Sequence, residues 1–262
     1  MFPPAGLPLF GQLLLISDQL AAPADFLLHD MVSSHLRSRQ LSSEGISPKT
    51  HSSKAVVVSV SQSLARWRAV GSKMGSNVDR NIDEGNLLFL DLHDTLFDPD
   101  EPPSLRPVFD LIRSTVSKIS PLYPTQPETD TVLVVVEDIS TIEWSGYSTS
   151  EISRFCRALS AFCARRSSSL VIRHHLLSPE EPDELFRSLY QLCASYIEVR
   201  PLASGRSGAV SGEVSLYPGP SYMLSANISS HSHLILRDKA LQYRLTDTGA
   251  TFFERGTGGA VL

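Results

Sequence analysis

Asp138 stands just past Val132-Leu133-Val134-Val135-Val136, the most apolar strand-like run in the chain, and follows Glu137. A carboxylate at the end of a buried strand is where a Walker B aspartate holds magnesium through water. Acidic residues there also cap the helix or loop that follows, and the strand pattern alone favours the cap. The companion of a magnesium-holding aspartate would be a glycine-rich loop after the first strand, GxxxxGK followed by Ser or Thr. Its amides surround the phosphates, its lysine neutralises them and its hydroxyl reaches the metal. The corresponding stretch here, Ser17-Asp18-Gln19-Leu20-Ala21-Ala22-Pro23-Ala24-Asp25, has no glycine, lysine or threonine. Pro23 has no amide to donate, and Asp18 and Asp25 would repel phosphate from a helix N-terminus that otherwise attracts it. The segment argues against self-contained nucleotide hydrolysis, and no cofactor is expected.

The remaining reactive side chains point to structure more than to chemistry. His231 and His233 are spaced to share one side of a strand, but no third metal ligand lies near them. His174 and His175 follow a buried run, where ligand sites gather, yet neighbouring strand residues face opposite ways. Ser145-Gly146 lacks the GxSxG context of a nucleophile elbow. Arg66, Arg68 and the Arg165-Arg166 pair fit solvated helix faces. Cys156, Cys163 and Cys193 are too few and too scattered for a disulfide framework or a zinc site. The first two fall seven apart in a helical pattern, as core thiols in a reducing compartment would.

These residues need a scaffold, and 262 residues with 42% hydrophobic and 19% charged content suffice for one large domain with a full core. A net charge of −5 argues against a protein coated in positive charge, though not against a local basic patch. Residues Met1 to Phe10 have no basic n-region or small-residue cleavage site, and no run approaches the length of a membrane span, so a soluble, intracellular protein is expected.

Strand and helix signals alternate along the chain. Leu13 to Ile16, Ala55 to Val60, Leu87 to Leu90, Val132 to Val136 and Leu170 to Ile172 are short apolar runs of the kind covered on both faces of a parallel sheet. Between them, helical spacing appears from about Pro23 to Leu36, from Ser63 to Met74, through Leu105 to Ile119, and through Ile152 to Cys163 behind a Ser148/Glu151 capping box. Asp183-Glu184 then opens a helix through Leu192. Residues 37–53 are serine-rich and read as a flexible surface loop, and 121–130 as a second loop. From Ser195 to the end the pattern alternates or turns on glycine, with a hairpin tip at Asp247-Thr248-Gly249, which predicts antiparallel strands. The expectation is a single α/β domain over 1–262: a mostly parallel sheet flanked by helices, with a β-rich C-terminal extension over 195–262.

The order of these pieces resembles a known family. Strand Val56 to Val60, Gln62-Ser63, Val70-Gly71-Ser72-Lys73-Met74-Gly75 and Gly85-Asn86-Leu87-Leu88-Phe89-Leu90 look like the sixth subunit of the Elongator complex. Phe26-Leu27-Leu28-His29, Leu241-Gln242-Tyr243-Arg244-Leu245, Phe252-Phe253 and the final Ala260-Val261-Leu262 are similar to that family as well. The resemblance implies a RecA-like fold without a Walker A loop. It also implies a hetero-hexameric ring with the fourth and fifth Elongator subunits, two copies of each, attached to the remaining Elongator core. Such a ring binds tRNA and supports wobble uridine modification, while the catalysis lies in another subunit. A cytoplasmic location follows, with the nucleus open as a second compartment. The alternative is a ring ATPase-like regulatory subunit whose nucleotide site a neighbour completes.

In such a ring the loops after the fourth and fifth parallel strands, 141–148 and 173–182, would face the central opening. They offer Trp144 and Tyr147 for stacking on a base, and Arg173, His174 and His175 for phosphate or ribose. Glu143, Glu180 and Glu181 make both loops less basic than a dedicated RNA site.

Overall fold

A computed structural model of the chain describes residues 2, 4, 7–41, 53–92, 104–119, 131–178, 180–205, 207–221 and 234–255. The short apolar runs become strands, and the central ones are buried on both faces of one sheet. These are β1 (Leu13–Asp18), β2 (Lys54–Ser59), β3 (Leu87–Asp91), β4 (Val132–Val136), β5 (Ser169–His175) and β6 (Ser195–Arg200). They lie side by side and parallel in the order β3-β2-β4-β5-β1-β6. Strands β7 (Gly212–Pro218), β8 (Leu241–Thr246) and β9 (Gly249–Phe253) continue the same sheet antiparallel, giving nine strands among the described residues.

Alternation along each strand sorts the core into two layers. Leu14, Ile16, Leu133 and Val135 face α1 (Asp25–Leu41), α2 (Leu64–Lys73) and α3 (Val78–Asp83). Leu13, Leu15, Val134 and Ile172 face α4 (Arg106–Ile119), α5 (Ile139–Trp144), α6 (Thr149–Arg165) and α7 (Glu184–Leu192). Helices on opposite faces leave a crevice at the C-terminal ends of the central strands, the usual ligand position of an open α/β sheet. Helix starts follow the capping residues: Ser63, Ser148 and Asp183 accept from the amides of Arg66, Glu151 and Phe186. All three cysteines are buried thiols, each pushed up to about 12 by burial.

The expected α/β architecture is present, with three local corrections. Strand β6, placed by its alternation in the antiparallel extension, pairs parallel with β1 and turns antiparallel only toward β7. Its alternation reflects a position at the end of the helix-covered sheet, where one face holds Ile197 and Val199 and the other Glu198 and Arg200. Helix α1 runs to Leu41 and so takes the first residues assigned to a loop. Residues 141–144 are helical and 173–175 are strand, not loop. His231 and His233, the 121–130 loop and the final Ala260-Val261-Leu262 lie outside the described residues.

The junction of β6, β7 and α7 is tight at Gly219, whose amide donates to the Ala194 carbonyl at 2.8 Å. A Cβ there would lie 2.1 Å from the Cys193 carbonyl oxygen, a backbone atom that cannot turn away. Gly219→Ala should therefore cost about 1–3 kcal/mol or more through overpacking, seen as a lower urea midpoint with an unchanged slope. An unshifted midpoint would mean that this junction yields freely.

Candidate functional site

At the C-terminal ends of β1, β4 and β5 the apolar core gives way to charge. Period-two alternation turns Asp18, Glu137 and Arg173 toward the α1 layer, continuing the rows of Ile16, Val135 and Val171. Arg173 is only 2% exposed. Its Nη2 donates to Glu137 Oε1 at 2.7 Å and its Nε to the Glu137 carbonyl at 2.7 Å. Its Nη1 meets Asp25 Oδ1 at 2.7 Å and Asp18 Oδ2 at 3.4 Å. Burial works against the guanidinium charge, but Asp25, Asp18 and Glu137 outweigh it and raise its pKa.

The carboxylates are held in turn by backbone. Asp18 Oδ2 accepts from the Ala24 amide at 2.6 Å, ahead of α1. Glu137 Oε2 accepts from the amides of Ser61 at 3.1 Å and Val60 at 3.4 Å, beyond β2. The Gln62 side chain donates to Asp25 Oδ1 at 2.7 Å. The segment where a phosphate loop would stand thus commits the Ala24 amide to a carboxylate of its own chain.

Asp138 points to the other side. It caps α5 by accepting from the amides of Ser140 (3.0 Å) and Thr141 (3.2 Å) and from the Thr141 hydroxyl (2.6 Å). His175 bridges Asp18, through a short Nδ1 contact, to Asp138 Oδ2, 3.5 Å from Nε2. Burial alone would raise the Asp138 pKa. The His175 hydrogen bond, the Thr141 hydroxyl and the Arg173 charge overcome this and hold it well below the usual carboxylate range. For His175 burial lowers the pKa, but the bonds to Asp138 and Asp18 prevail and raise it to about 9. Asp138, read from the sequence as Walker B-like or a cap, is tied up as a cap and as a partner of His175.

His174 forms a Ser–His–Asp chain: Nδ1 lies 2.8 Å from Ser140 Oγ and Nε2 2.9 Å from Asp183 Oδ2. This is not a nucleophilic triad. Ser140 has no exposed surface, and its Oγ accepts from the His175 amide at 2.8 Å. Asp183 in turn caps α7, accepting from the Phe186 amide at 2.6 Å. The chain ties α5 and α7 to the end of β5.

The five residues expected to face RNA are therefore divided. Arg173, His174 and His175 are 2%, 1% and 9% exposed and committed to internal partners, and Tyr147 is buried in the helix-side core. Trp144 is half exposed, its ring stacked on that of His175 with centroids 5.8 Å apart and planes nearly parallel at 11°. Sequence reasoning singled out Asp138 and missed Glu137, Asp18 and Asp25 as partners of a buried arginine. The signal was the charge at the end of Leu170-Val171-Ile172-Arg173, since a charge in line with a buried row requires a counter-charge.

No protein-family model matches the chain. Whole-length likenesses do exist. Elongator complex protein 6 of Danio rerio is 23% identical, that of Xenopus laevis 26% and that of Homo sapiens 23%. Each match covers 96% of this chain and 93% of the relative. The chain is similar over nearly its whole length to Elongator complex protein 6. The resemblance carried by the motifs around Val56 to Leu90 and Leu241 to Phe253 thus extends across nearly the entire sequence, with its strands in the expected places.

Two measurements test the charge network. Arg173→Met leaves Glu137, Asp18 and Asp25 facing one another without their cation, so a loss of about 3–5 kcal/mol in unfolding free energy is expected. A loss below about 1 kcal/mol would mean that water reaches the cluster. The folded pKa of His175, about 9, lies above the ordinary value of 6.5. Its contribution is complete below about pH 6.5 and is lost as pH rises through 9. Urea titrations across that range should show falling stability in the native chain and a flatter profile in His175→Gln.

Proposed function

We propose that this chain is a non-catalytic accessory subunit of an Elongator complex. On this reading it assembles with the fourth and fifth subunits into a hetero-hexameric RecA-like ring, two copies of each, joined to the remaining Elongator core. The ring binds tRNA and supports wobble uridine modification performed elsewhere in the complex. The observation that carries the reading is the filled crevice at the ends of β1, β4 and β5. There Arg173 and His175 supply the positive charge that a metal or a ligand's partner would bring, and the carboxylates of Asp18, Asp25 and Glu137 already hold them. An incoming phosphate would meet four carboxylates and find the Ala24 amide engaged. The whole-length likeness to Elongator complex protein 6 supports the choice of complex.

The test is co-expression with the fourth and fifth subunits followed by native mass measurement. A complex with two copies of each chain is expected, without ATP hydrolysis traceable to this subunit. Hydrolysis that survives purification and disappears in Asp138→Asn would overturn the non-catalytic assignment. A chain that remains alone with both partners present would overturn the ring.

A further inference from the structure

Three of the most exposed large apolar side chains among the described residues lie on segments next to the charge network. Leu20 is 72% exposed in the turn after β1, Leu177 is 67% exposed just after β5, and Trp144 is 50% exposed at the end of α5. Strand register brings the segments of Leu20 and Leu177 together. Asp18 and His175 are register partners at the ends of adjacent strands, and the Leu176 amide donates to the Asp18 carbonyl at 2.8 Å. Leu20 and Leu177 each lie two residues beyond that pair, and the Trp144 ring stacks on His175. A leucine pair and a tryptophan held in water over rigid strand ends expose apolar surface that a partner would bury.

Charge around the patch is one-sided. The segments 19–24, 139–148 and 176–184 contain Glu143, Glu180, Glu181, Asp183 and Glu184, and no lysine or arginine. Beneath them four carboxylates face the two cations Arg173 and His175. Such a surface repels phosphate and so disfavours RNA. A second copy of this chain in two-fold contact would oppose acid to acid.

We propose that Leu20, Trp144 and Leu177 form a docking surface for another protein that presents an arginine or lysine flanked by apolar side chains. The cation lies against the Trp144 ring and the acidic rim, and the apolar neighbours cover the leucines. This rests on the reading of the chain as an assembly subunit and names the face and chemistry of one contact.

The experiment uses the full chain and the co-expressed fourth and fifth Elongator subunits as the probe. Leu177→Asp and Leu20→Asp are purified alone, and melting temperatures within about 2 °C of the native chain are expected, since Leu20 and Leu177 are 72% and 67% exposed. Binding to the two-subunit probe should weaken at least about tenfold in Leu177→Asp and further in the Leu20→Asp/Leu177→Asp pair. Native binding should also weaken as salt rises from about 0.05 to 0.5 M. Native complex formation with unchanged affinity in the aspartate variants would overturn the docking face and leave the assembly role standing. Salt-independent binding would overturn the cationic partner. A homodimer of the isolated chain that Leu177→Asp dissolves would assign the face to a second copy instead. Failure of the native chain to bind the probe at all would remove the assembly role and this contact together.

Discussion

A guanidinium 2% exposed to water sits at the end of a buried strand, and the centre of the molecule is arranged around it. Taking such a charge out of water costs several kcal/mol, which only close, well-aligned partners offset. Arg173 finds them on separate elements: Glu137 beyond β4, Asp18 on β1 and Asp25 in the first turn of α1. Asp18 and Glu137 are themselves desolvated, and all three carboxylates draw in donors of their own, from Ala24, Val60, Ser61 and Gln62. One buried charge thereby connects four segments that are remote in sequence. A pair of this kind is a poor source of net stability compared with an apolar core, but it tolerates few other arrangements of its partners.

The position of the network matters as much as its composition. In an open α/β sheet the carboxyl ends of the central strands border the crevice where ligands bind. Here that crevice is occupied by side chains of the same molecule, with their charges internally matched in part and their donors spoken for. The Ser140–His174–Asp183 chain beside it shows the same economy. Groups that could act on a substrate are instead used to tie α5 and α7 to β5. What the pole exposes to solvent includes the side chains of Leu20, Trp144 and Leu177.

Much of the scaffold was legible from the residues. Unbroken β-branched runs such as Ala55 to Val60 and Val132 to Val136 can be satisfied only by burial on both faces, and they form β2 and β4. Ser63, Ser148 and Asp183 mark helix starts because their oxygens meet free amides one turn ahead, a local interaction that needs no tertiary contact. The missing glycine, lysine and threonine between Ser17 and Asp25 were equally plain. Strand β6 was less so, because alternation reports how a strand is covered and not which way its neighbours run.

The site divided along the same line. Chemical type is a property of the chain alone, so the sequence by itself determined that the phosphate loop is absent, that Asp138 stands where it can cap, and that acidic residues crowd the loops beyond the strands. It also placed Arg173, His174 and His175 side by side. Which of them meets solvent depended on the pairing of β1 with β5 and β4, across about 155 residues of intervening chain for Asp18 and Arg173. Only that pairing could turn an arginine expected at phosphate into the counter-ion of three carboxylates, because ion pairs are decided by distance in space and burial, neither of which is written in local order.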